Sequence, residues 1–247
     1  MGIDYRPDKD LEFLQYCSED DIRLLAEYLT KDKDGEERYA SQISGHEDFK
    51  QRYGQPDKWS KSWRLVAGEL QHFGGDSLVN LFRRSGVLYH EILCDVCDKL
   101  KVSYDKKQTA YDIENALIEK MVTLAWEKMS EEERQKTLDA FNVSSLGIGA
   151  FDLVLLAIKA GGSGSLKGAQ LMAESAKVIF SGLSMMSAGA IGSIVATRSV
   201  ALLSGPLALV FAAFAIPQIT GVAYRVTMPA VIQIAYMRRE YEKKDRF

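Results

Sequence analysis

No complete catalytic signature occurs in these 247 residues, and other absences narrow the field further. No run alternates apolar and polar residues with period two, which disfavours a sheet. No stretch repeats itself at a solenoid period. The opening MGIDYRPDKDLEF is polar from the start and lacks the basic and apolar regions of a secretory leader, so the chain is expected to remain in the cytosol. Three cysteines, Cys17, Cys94 and Cys97, are an odd number, and in a reducing compartment they are expected as thiols. The net charge is −3, and no basic patch with interleaved aromatics is expected in the acidic half, so nucleic acid is not expected as a partner.

Charge itself is missing from one part of the chain. Met1 to Asn142 carries 29 acidic and 21 basic residues. From Val143 to Met237 only Asp152 and Glu174 stand against Lys159, Lys167, Lys177, Arg198 and Arg225. The last ten residues, RREYEKKDRF, return to high charge. This shift sets an expected boundary between an acidic helical domain, 1–142, and an apolar helical region, 143–247, and 47% apolar residues supply ample core.

What is present points to helices. Ser18 with Asp21, Thr109 with Asp112 and Ser130 with Glu133 each form an [ST]-x-x-[DE] box, whose hydroxyl and carboxylate satisfy amides left unpaired in a first helical turn. Leu88, Ile92, Val96 and Leu100 form an i, i+4 row, and Ile113, Leu117, Met121 and Leu124 recur at helical spacing. KDKDGEE, GQPDK and Gly74-Gly75 punctuate these segments, and GGSGS at 161–165 reads as a hinge. The expected fold is all-α: a multi-helix acidic N-terminal domain, then an apolar helical hairpin and a charged C-terminal helix.

Two uncharged runs define the hairpin, over about 178–224. Twenty uncharged residues separate Lys177 from Arg198, and 26 separate Arg198 from Arg225. Each suffices to cross a hydrocarbon core of about 30 Å. Ser184, Ala188, Gly192 and Ala196 recur every fourth position, as do Ser204, Ala208 and Ala212, a small-residue pattern that lets helices pack closely in lipid. Lys159, Lys167 and Lys177 precede the runs and Arg225, Arg238, Arg239, Lys243 and Lys244 follow them, with Arg198 at the tip, so both termini are expected on the cytosolic side. The same hairpin could instead be the buried centre of a soluble bundle, or be sheltered there and released at a bilayer.

Candidate chemistry is sparse. In GELQHFGGDS, Glu69, Gln71, His72 and Asp76 surround a double glycine and are candidate ligand or partner contacts. Glu69 and His72 have the Glu-x-x-His spacing of di-iron bundles, but no second copy exists, and a helix-turn-helix junction capped by Asp76 or Ser77 accounts for the segment more simply. His90, Cys94 and Cys97 share one helical sector and are metal-ligand candidates, against packing of two buried thiols beside a surface histidine.

SWRLVAGELQHFGGDSLVNLFR, LEFLQYCSEDDIRLLAEYLT and AYRVTMPAVIQIAYMRR together resemble the YaaW-like family of uncharacterised bacterial proteins. That resemblance implies a helical intracellular protein and carries over no established biochemical activity. Some relatives are labelled ubiquinol-cytochrome c chaperone-like, which would imply assisting assembly of a membrane complex. The expected function is therefore non-enzymatic, at a membrane, as an assembly factor or by conditional insertion. The expected partner is membrane lipid or a membrane protein complex, with a homo-oligomer left open and no cofactor, at the inner membrane as a peripheral or integral protein. A soluble adaptor with the hairpin as its core, and a metal-dependent enzyme, are the alternatives.

Overall fold

A computed structural model describes residues 4–30, 43, 45–52, 54–75, 86–128, 130–140, 149, 152, 155 and 222–244. The described residues are helical and contain no strand. A 3-10 turn at Glu12–Tyr16 precedes α1 (Glu19–Thr30), α2 (Glu47–Gln51), α3 (Lys58–Lys61) and α4 (Trp63–Gly75). There follow α5 (Tyr89–Lys99), α6 (Ala110–Lys128), α7 (Glu131–Ala140) and the helix named here α8 (Val222–Lys244).

The helix starts follow the capping chemistry of the sequence. At α1 the Ser18 hydroxyl donates to the Asp21 carboxylate at 2.6 Å and accepts the Asp21 amide at 3.2 Å. Thr109 does the same with Asp112 at α6, at 2.7 and 3.2 Å. Helix α7 begins one residue after Ser130, whose carbonyl accepts the Arg134 amide at 3.0 Å. The short α3 is capped from another element: the Glu19 carboxylate accepts the amides of Trp59 at 3.0 Å and Ser60 at 2.8 Å. The apolar rows face inward over most of their length: Ile92 and Val96 on α5, Leu100 at its C-cap, and Ile113, Leu117 and Met121 on α6 are buried, while Leu88, before α5, is half-buried.

The chain forms two compact units, one from Met1–Glu114 with Thr220–Phe247 and one from Asn115–Ile219. The compositional boundary at 142/143 follows charge, whereas this division follows packing and places α8 in the first unit. There α8 packs against α1, α4, α5 and the 3-10 turn. From Val226 to Arg239 every side chain except Tyr236 is buried, as expected of a central helix with no solvent stripe. Pro229 lies inside it and removes one backbone donor.

Among the described residues, no helix is long and apolar enough to cross a membrane. Residues 178–221, including the small-residue rows Ser184, Ala188, Gly192, Ala196, Ser204, Ala208 and Ala212 and the tip Arg198, lie outside the described residues. So do the GGSGS hinge and Asp76.

Candidate functional site

Helix α4 carries GELQHFGG to its last residue, and the side chains there divide sharply. Glu69 is 2% exposed and Gln71 0%, while His72 is exposed. The Glu69–His72 pair therefore does not offer both groups to one ligand, because its carboxylate is turned into the core. Gln71 is occupied with the chain itself. Its Oε1 accepts the Arg6 amide at 3.0 Å and its Nε2 donates to the Arg6 carbonyl at 2.9 Å, so one side-chain amide satisfies both backbone groups of one residue. The Gln71 carbonyl accepts the Val87 amide at 3.1 Å, and Arg6 Nη1 donates to the Gly86 carbonyl at 3.1 Å. A Cβ at Gly86 would lie 2.7 Å from Gln71 Cβ, so only glycine allows this approach. Gln71 thus joins the N-terminal segment, α4 and the entry to α5.

A buried polar cluster, not singled out from the sequence, lies beside this junction. The Asp8 carboxylate accepts the Tyr89 amide at the start of α5 at 2.6 Å and the Asp10 amide at 3.0 Å. The Tyr89 hydroxyl donates to Glu114 Oε1 at 2.7 Å. Arg238 Nε lies 3.1 Å from both Glu114 oxygens, and Arg238 Nη2 donates to the Asp10 carbonyl at 2.7 Å. The same guanidinium lies 4.5 Å from the Phe13 ring centroid. Four elements meet here: the N-terminal segment, α5, α6 and α8.

Burial controls the electrostatics of this cluster. Glu114 is 0% exposed, and desolvation pushes its carboxyl pKa above the ordinary value against the opposing pull of Arg238, Arg239 and the Tyr89 hydrogen bond. Burial opposes the Arg238 charge too, but Glu114 outweighs it and holds the guanidinium pKa above its usual value. Burial, then Glu114, drives the Tyr89 hydroxyl well upward. Arg238 and Arg239 are 8% and 5% exposed, which corrects their expected part in a basic cytosolic tail: these charges face the core. The pattern signal was available. Glu114 sits within the apolar row of α6 between Ile113 and Leu117, and a carboxylate there calls for a buried cation.

The thiols of α5 are packed as small apolar groups. Cys94 is 6% and Cys97 0% exposed, and burial raises both thiol pKa values, that of Cys97 to about 12. His90 Nδ1 is 3.7 Å from Cys94 Sγ, while its Nε2 is 3.1 Å from the Gln108 carbonyl. The described residues contain no group of three or more His, Cys, Asp or Glu side chains placed to hold a metal ion.

A second grouping qualifies the expectation that the acidic half lacks a basic patch. Between Lys50 and Arg64 the sequence carries Lys50, Arg52, Lys58, Lys61 and Arg64 against Asp57 alone, interleaved with Trp59 and Trp63. Counting charge over 142 residues hides this local excess. Lys50, Lys61 and Arg64 are exposed. The Phe49 and Trp59 rings meet at 4.6 Å and join α2 to α3. Lys58 Nζ lies 5.5 Å from the Phe49 centroid and 5.2 Å from that of Trp59, and the Arg64 guanidinium lies 4.7 Å from the Trp63 centroid.

Residues 5–39 match a family model described as "Domain of unknown function (DUF3944)", a stretch that includes Arg6, Asp8 and Asp10 of the junction. The UPF0174 protein YaaW of Escherichia coli strain K12 is 36% identical over 244 residues, covering 97% of each chain. A UPF0174 protein of Helicobacter pylori strain J99 is 37% identical over 241 residues, covering 95% of this chain and 92% of its own. No solved structure matches the chain. Identity at this level across almost the whole length places the chain in the uncharacterised, bacterial, YaaW-like UPF0174 family.

Proposed function

We propose that this protein works at a membrane and is not an enzyme, with the 115–219 stretch as its working segment and the first unit as its base. The observation that carries this reading is the Glu114–Arg238 pair. It joins Glu114, the last residue before that stretch, to Arg238 on the helix at which it returns, both residues within one packed unit. The first uncharged run and all but the last five residues of the second fall between these two points. A span of apolar residues leaving and re-entering one charged body is the arrangement expected of a hairpin that meets a bilayer from one side, with both termini on the cytosolic face. Assembly of a membrane complex and conditional insertion are the two forms this work would take. The test is fractionation of cells expressing the full chain. The protein is expected to sediment with membranes, to resist high salt and carbonate, and to be released by detergent; full recovery in the soluble fraction without detergent overturns the proposal.

One observation favours a second reading. From Val226 to Arg239 helix α8 is buried except at Tyr236, so this chain does bury a helix without a solvent stripe in its own core. By the same device the hairpin would be the core of a soluble adaptor. That adaptor would retain His72 but not Glu69 or Gln71 as surface contacts, since both are buried. The same fractionation separates the two.

A further inference from the structure

We infer that the basic face formed by α2, α3 and the start of α4 docks on the phosphate headgroups of an anionic lipid surface. This rests on the membrane reading above and names the chemistry of the partner. Lys58, Lys61 and Arg64 follow one another at intervals of three, and the near-helical path through Ser62 keeps this register. The Ser62 amide donates to the Trp59 carbonyl at 2.9 Å, and the Ser62 carbonyl accepts the Leu65 amide at 2.9 Å. The Phe49–Trp59 contact brings Lys50 to the same region. Of the nearby carboxylates, Glu19 caps α3 and Asp20 pairs with Arg23 at 2.7 Å, while Glu47, Asp48 and Asp57 leave the stretch 47–64 with five basic residues against three acidic ones. Among the described residues, no carboxylate pairs with Lys50, Lys61 or Arg64.

The aromatic rings speak against single-stranded nucleic acid, and the membrane reading favours lipid. Single-stranded nucleic acid binds by stacking bases on open ring faces. Here Phe49 and Trp63 are each only 6% exposed, and cations lie over Phe49, Trp59 and Trp63. These rings are cation-backed anchors rather than stacking platforms. Lipid phosphates require no open ring face, because long basic side chains reach them directly.

The test is co-sedimentation of the full chain at low salt with vesicles of phosphatidylcholine alone and of phosphatidylcholine with one quarter phosphatidylglycerol. The wild-type protein is expected to prefer the anionic vesicles, and high salt to remove that preference. Lys50→Gln/Lys61→Gln/Arg64→Gln is expected to lower affinity for the anionic vesicles by about tenfold or more. Lys50→Arg/Lys61→Arg/Arg64→Lys, which keeps the charge, is expected to retain it. Equal binding to both vesicles, an unaltered preference in the glutamine variant, or salt-sensitive binding of single-stranded RNA in place of vesicles overturns the inference. Loss of the preference in the charge-retaining variant also overturns it, by showing a structural effect. The failures are separable: a chain that resists carbonate but has no lipid preference removes the patch alone, and one that prefers anionic vesicles but is extracted by carbonate removes the inserted hairpin alone.

Discussion

Glu114 is the residue whose chemistry depends most on its surroundings. Removing one member of a buried ion pair leaves the other charge uncompensated, at a cost of about 3–5 kcal/mol. Glu114→Ala and Arg238→Ala are each expected to lower stability by about that amount, read as a fall in the urea midpoint. Glu114→Leu combined with Arg238→Met should recover most of the loss, since an apolar pair of similar volume is often neutral or better. The pH dependence has an unusual sign. Because burial raises the folded carboxyl pKa, the native state binds a proton more readily than the unfolded chain only in the window between the ordinary carboxylate value and the folded one. This group's contribution to stability is therefore greatest below the ordinary carboxylate value and declines as pH rises through the folded value, opposite to a surface-paired carboxylate. The urea midpoint of the wild-type protein should show this decline and that of Glu114→Gln should lack it. At Cys97, burial and a thiol pKa near 12 predict resistance to alkylation at mildly alkaline pH until the chain is unfolded, which mass spectrometry would read directly.

At the scale of elements, the meeting of α4 with the entry to α5 depends on a pair that is not interchangeable. Gly86→Ala would drive a methyl group against Gln71 and is expected to cost about 1–3 kcal/mol by overpacking. Gln71→Ala would leave the Arg6 amide and carbonyl unpaired, at about 1–3 kcal/mol. Faster hydrogen exchange at the Arg6 amide would separate this second effect from a general loss of stability. The elements themselves were legible in the sequence: capping boxes placed the starts of α1 and α6, and apolar rows placed the buried faces of α5 and α6. The roles of Glu69, Gln71, Arg238 and Arg239 were not, because hydropathy treats a polar side chain as exposed unless a partner is known. Those partners are far away in sequence, Gln71 65 residues from Arg6 and Glu114 124 residues from Arg238.

For the molecule as a whole, the first unit is built from both ends of the chain. A chain stopped at Asn142 keeps every element of the acidic half yet loses α8, the helix against which α1, α4, α5 and the 3-10 turn pack. Such a truncation is expected to lack a cooperative unfolding transition by circular dichroism, whereas a full-length chain with residues 178–221 replaced by a flexible linker should retain one. Membrane fractionation of the linker variant then reports on residues 178–221 without dismantling the first unit.

The 124-residue separation between Glu114 and Arg238 also imposes an order in time. On the ribosome, the apolar runs are synthesised before the arginine that completes the core has been added. The first unit must wait for its last helix, and during that interval Glu114 lacks Arg238 and residues 178–221 precede the helix that completes the unit. Contacts formed only after such a delay leave nascent apolar surface open to chaperones or lipid.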